Sequence, residues 1–213
     1  SPLKLPAMTH PRRSAILLIG FQNDYFSPDG AMHSVIEQNA RENDVLANTK
    51  RILDAFVSQD LPIINLPIHF SPDYEELGQP TGLLAAIRDA GAFRRDTKGG
   101  ETIPELLEYG DRIQHLKGKT SFNAFLGTNL DEHLRRSGVE HVFVTGVVTS
   151  ICIDSTARAA AEQGFAVTIV RDASAGRNET EHEFYCESIF PLYAEVIGTK
   201  DLLDHEADSQ IAR

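Results

Sequence analysis

Short apolar runs recur along the chain and alternate with stretches whose apolar positions fall at helical spacing. Ser14–Ile19 (SAILLI), Pro62–Leu66 (PIINL), His141–Thr145 and Phe165–Val170 read as buried strands, with Asp111–Leu116 and Glu195–Ile197 as shorter ones. Between them, Val45, Leu46, Thr49, Ile52, Leu53, Phe56 and Val57 form one 3.6-residue face behind a candidate Asn43–Asp44 cap. Helical fragments are predicted around Leu83–Ala90 and Pro104–Glu108, inside long loops. Thr128 and Asp131 have the spacing of a capping box for a helix ending at Arg136. The small residues Thr156, Ala157, Ala160 and Ala161 mark a helix over Cys152–Gln163, stopped by Gly164, and a last helix is predicted over Thr180–Tyr193. No hairpin dipeptide joins two strands. This pattern predicts an α/β fold, a three-layer α-β-α arrangement around a doubly wound, six-stranded, mainly parallel sheet.

Composition narrows this picture. The 213 residues suit one domain over 14–204, with a Pro-rich N-terminal arm at 1–13 and a polar tail at 205–213. A net charge of −11 argues against nucleic acid or anionic membranes as partners and leaves a small molecule. Two cysteines make no disulfide framework and match no zinc spacing, which points to a reducing, cytoplasmic setting. No apolar run has the length of a signal peptide core or a membrane span.

In a sheet of this kind ligands bind beyond the carboxyl ends of the strands, where the strand order reverses. Gly20, the end of PIINL and the turn Gly146–Cys152 all lie at such ends. A thiol at the start of a helix meets unpaired N–H groups and the positive end of the dipole, which favour thiolate. Cys152 is therefore a candidate nucleophile; its other reading is a small buried hydrophobe packing the helix. No G-x-G-x-x-G, G-x-x-x-x-G-K-[ST] or G-x-S-x-G occurs, and the histidines have no metal-ligand spacing, so no cofactor or metal is expected.

Three separated segments carry a resemblance. GVVTSICIDSTARAAAEQGFAVTIVRDASAG resembles the nucleophile region of isochorismatase-like cysteine hydrolases, a superfamily that includes nicotinamidases and N-carbamoylsarcosine amidohydrolases. KTSFNAFLGTNL resembles their lysine segment, and ILLIGFQNDYF their first strand and loop. The likeness spans about residues 14–200. It implies Cys152 as nucleophile, Lys119 as its cation, the N–H groups of Val148 and Cys152 as an oxyanion hole, a cis Val147–Val148 peptide and a homodimer or larger homo-oligomer. Oxyanion donors of this kind are worth about 3–4 kcal/mol each. One position departs: Gly20 stands where the family has the aspartate that accepts the thiol proton and passes it to the leaving group.

The expectation is therefore a hydrolase of C–N bonds in a small amide, urea-like or carbamoyl compound, with an atypical or missing general base. The alternative is an altered family member that binds a small molecule or serves as a scaffold. Asp24, His33 and His69 are candidates to replace the base, although Asp24 also reads as a loop-capping carboxylate. Phe21, Gln22 and Asn123 are possible pocket residues. Arg177 could hold a substrate carboxylate or lie in solvent, and Cys186 reads as core.

Overall fold

The computed structural model describes residues 13–204; the N-terminal arm, apart from Arg13, and the 205–213 tail lie outside the described residues. Six strands form one sheet: β1 Ser14–Ile19, β2 Ile63–Leu66, β3 Gln114–His115, β4 His141–Val147, β5 Ala166–Ala175 and β6 Glu195–Ile197. Their order is β3-β2-β1-β4-β5-β6, and every pairing is parallel. β1 is buried along its whole length, as its unbroken apolar run requires. The chain winds outward in one direction from β1 and in the other from β4, so the switch point lies between these two strands.

The helices include α1 Asn23–Phe26, α2 His33–Glu42, α3 Val45–Ser58, α4 Gly82–Ala90, α5 Pro104–Leu107, α6 Leu130–Arg136, α7 Asp154–Glu162 and α8 Glu179–Phe184. They enclose two apolar clusters, one on each sheet face. One holds Ile16, Leu18, Ile52, Phe56 and Phe143; the other holds Leu17, Ile19, Val142, Val144, Ala157 and Ala160. Alternate residues of β1 and β4 thus enter opposite clusters, the period-two signature of a strand between two helical layers.

Several local expectations change. α2 falls in a stretch with no strong apolar stripe; only Ile36 and Asn39 of it are buried. Asp44 precedes α3 in a left-handed conformation, and its side chain makes no capping bond. The Thr128–Asp131 box does not form. Thr128 Oγ1 instead accepts from Leu130 N at 3.3 Å and donates to Ala124 O at 2.6 Å, because Asn129 takes the cap position. The last predicted helix ends early: after α8 the backbone widens into a π-helical turn at Tyr185–Ile189, then tightens at Phe190–Leu192 around Pro191. β5 runs five residues beyond its expected end at Val170, after a register shift against β4. Asn48 and Asn43 hold the extension by donating to Asp172 O and Ser174 O, both at 2.9 Å.

Candidate active site

The carboxyl ends of β1 and β4 meet at Ile19 and Gly146, which are in register. Gly146 has φ +116°, and a Cβ there would lie 1.8 Å from Ile19 O, so only glycine lets the two strands approach this closely. Beyond it the Val147–Val148 peptide is cis. Thr149–Ile153 then forms a π-helical turn that runs directly into α7, and Cys152 sits in that turn rather than at the first residue of a regular helix. The Val148 carbonyl accepts from Ile151 N at 3.0 Å and Ile153 N at 3.2 Å, so the Cys152 N–H between them lies outside this pair of bonds. The Cys152 side chain is 5% exposed.

The turn is fastened from α8. Thr149 Oγ1 donates to His182 Nδ1 at 2.6 Å, and His182 Nε2 donates to Arg171 O at 2.9 Å, which assigns the proton to Nε2. Burial holds the His182 imidazole below its ordinary pKa, consistent with a neutral ring accepting a hydroxyl proton. Ser150 donates to Glu181, whose carboxylate is gripped by Arg177 through Nε at 3.1 and 3.0 Å. Arg177 is thereby committed to an ion pair on α8. Cys186 lies one turn beyond His182, its Sγ 3.6 Å from Nε2, and burial pushes its thiol up to about 12.

Lys119 arrives from the far side of the switch point. Beyond β2 the chain continues in extended form, with Ile68 bridging to Lys119 in parallel and His69 N bonding Lys119 O at 3.1 Å. The Lys119 side chain is buried, 1% exposed, and its ammonium lies 3.8 Å from Cys152 Sγ. Burial lowers the lysine below its ordinary value, while the charge on the sulfur draws it back up. Thr156 of α7 ties the Lys119 segment to the helix that follows Cys152: its Oγ1 accepts from Ala124 N at 3.0 Å and donates to Phe122 O at 3.3 Å.

The other expected residues are placed differently. Both Asp24 oxygens are occupied by loop backbone, Oδ1 by Ala31 N at 3.1 Å and Oδ2 by Phe93 N at 2.7 Å. His69 Nε2 donates to Gly100 O at 2.7 Å, and His33 Nδ1 donates to Tyr25 O at 2.7 Å. Gln22 is fully buried and knots three segments, donating to Ile68 O and Gly100 O and accepting from Ile68 N, all within 2.9 Å. Phe21 is buried and stacks on Phe26. Asn123 Oδ1 accepts from Phe125 N at 2.9 Å within its own turn. Among the described residues no three His, Cys, Asp or Glu side chains gather as metal ligands, and no helix is long and apolar enough to cross a membrane.

Gly20 is conformationally demanding. It has φ +77°, and a Cβ on it would meet Val147 Cγ2 at 2.6 Å and Val147 O at 2.8 Å. Sequence reasoning missed Tyr25, on the single turn of α1. Its ring lies against Gly20 and Phe93, with 4.8 Å between the ring centroids of Tyr25 and Phe93, and only 2% of the residue is exposed. Burial, and after it the charge on Cys152, raises the Tyr25 phenol well above its ordinary pKa. The available signal was its place five residues after the vacant position, in a loop otherwise read as turn.

Comparison with known proteins gives one consistent result. A family model described as the isochorismatase domain matches residues 14–201. The uncharacterized isochorismatase family protein YecD of Escherichia coli O157:H7 is 35% identical over 196 residues, covering 91% of this chain and 96% of its own. Ureidoacrylate amidohydrolase RutB of Variovorax paradoxus is 28% identical over 184 residues, covering 79% and 71%. Among solved structures, an isochorismatase family protein from Desulfovibrio vulgaris superposes with TM-score 0.78 at 24% identity, over 95% of this chain and all of its own.

Proposed function

The chain belongs to the isochorismatase family, and from that premise we propose that it is a cysteine hydrolase cleaving a C–N bond in a small amide, urea-like or carbamoyl compound. The observation that carries this reading is the buried Lys119 ammonium 3.8 Å from the Cys152 sulfur, at the strand switch point where ligands of such sheets bind. A cation beside a thiol favours thiolate, the nucleophilic form, and the turn around Cys152 adds the positive end of α7. Sulfur adds to the carbonyl carbon. Backbone N–H groups of Val148 and Cys152 receive the oxyanion in this reading, and water then hydrolyses the thioester. RutB, a relative named for ureidoacrylate amidohydrolysis, supports the substrate class. We also propose self-association into a homo-oligomer and, given two free cysteines, work in the cytoplasm.

Gly20 favours a second reading, a binding protein that has lost turnover. The two separate on a panel of N-carbamoylglycine, 3-ureidopropionate and nicotinamide. The hydrolase reading expects release of ammonia or amine that Cys152→Ala abolishes. It also expects iodoacetamide at pH 7 to label Cys152 and spare Cys186, whose thiol burial keeps protonated. No turnover across the panel, with both cysteines labelled equally slowly, establishes the second reading instead.

A further inference from the structure

Position 20 has no side chain, and the ring of Tyr25 stands beside it. A Cβ built on Gly20 would lie 3.5 Å from Tyr25 Cδ2, in ordinary van der Waals contact. The ring is held by burial and by Phe93, yet among the described residues the hydroxyl has no hydrogen-bond partner. Gly20 also lies against Val147, the last residue of β4, after which the chain enters the turn that holds Cys152, and the charge on the Cys152 sulfur adds to the causes that raise the phenol. A phenol fixed in place at this end of the sheet, without a hydrogen-bond partner among the described residues, is placed to serve whatever the nucleophile attacks.

We propose, resting on the hydrolase reading above, that Tyr25 is a catalytic residue of this site, its hydroxyl giving a proton to the leaving nitrogen and recovering one from water. The steps balance. The Cys152 thiolate forms a C–S bond to the carbonyl carbon, and the carbonyl electron pair moves to oxygen. When that pair returns, the C–N bond breaks with its electrons on nitrogen, and nitrogen takes the Tyr25 proton and departs as the amine. Water then forms a C–O bond to the thioester carbon and passes one proton to the phenolate, and the C–S pair returns to sulfur. The acid leaves, and thiolate and phenol are both restored.

The surroundings suit this cycle. Burial and the thiolate charge keep the phenol protonated in the resting site, so the proton is present when substrate arrives. Bond formation discharges the sulfur and removes that part of the hold on the proton. Asp24, His33 and His69 are engaged with loop backbone, which leaves the Tyr25 hydroxyl as the unpartnered proton carrier among these candidates.

Tyr25→Phe removes the oxygen and keeps the ring, so its packing survives. It is compared with the parent enzyme on the fastest amide of the panel above and on 4-nitrophenyl acetate, whose nitrophenolate leaves without a proton. Amide turnover is expected to fall about 100-fold or more, the usual scale of general acid help. The pre-steady-state nitrophenolate burst, which reports acylation of Cys152, is expected to hold within a few-fold. Unchanged amide turnover, or equal loss on amide and ester, overturns the role of Tyr25 and leaves the hydrolase reading intact. A parent enzyme that shows the Cys152-dependent burst and cleaves no amide overturns the hydrolase reading, and the Tyr25 proposal with it.

Discussion

At the scale of single residues, the site is built from groups whose neighbours set their chemistry. Lys119 shows the balance most plainly: burial disfavours its charge and lowers its pKa, while the charge on the sulfur draws it back up. Cys186 shows burial prevailing: its thiol is pushed up to about 12 although the Arg171 charge draws it down. Gly20 is the residue at which a family likeness misleads. A simple exchange of glycine for aspartate would suggest that the carboxylate can be restored. The positive φ and the 2.8 Å approach to Val147 O say otherwise. Gly20→Asp is expected to lower stability by about 1–3 kcal/mol, the cost of holding a side chain in sparsely allowed backbone. That corresponds to several degrees in Tm for a chain of this size. Thermal melting of Gly20→Asp and Gly20→Ala checks this; an unchanged Tm with a gain in turnover contradicts it.

At the scale of elements, the π-helical turn at Thr149–Ile153 and the short α8 behave as one unit. Thr149 and Ser150 are held by His182 and Glu181, so α8 positions the turn that carries Cys152, the proposed nucleophile. This arrangement has a pH signature. His182 has a folded pKa below the ordinary 6.5, so between the two values the unfolded chain binds a proton that the native chain refuses. Its contribution is complete above pH 6.5 and is lost as pH falls below it. At pH 5.5 the loss is up to about 1.4 kcal/mol. His115, also lowered by burial, acts in the same direction and is unchanged in a His182 variant. Urea unfolding at pH 7.5 and 5.5 is therefore expected to show a smaller acid loss in His182→Gln than in the parent; equal losses in the two proteins assign the acid sensitivity elsewhere.

At the scale of the whole molecule, the two ends of the central pair, β1 and β4, define the site, and the two apolar clusters hold those strands from either face. Leu107, Leu126, Phe184 and Leu192 remain more than half exposed, unlike the other large apolar side chains among the described residues. The proposed homo-oligomer is expected to show by light scattering at least twice the 23.5 kDa of one chain; a mass of 23.5 kDa at tens of micromolar protein excludes it. Much of the architecture was legible in the sequence by itself. The unbroken apolar run of β1 and the 3.6-residue face of α3 are one-dimensional patterns, and their alternation determined a doubly wound parallel sheet. The place of Cys152 at a strand end and helix start marked it as a candidate, and the resemblance of its segment to the family's lysine segment marked Lys119. What tertiary structure alone decided is how partners far apart in sequence are shared out. Asp24 spends its oxygens on Ala31 and Phe93, His69 its proton on Gly100, and the Tyr25 hydroxyl has no hydrogen-bond partner among the described residues. A hydrogen bond to backbone many residues away leaves no trace in local composition, because any residue type supplies the same N–H and C=O.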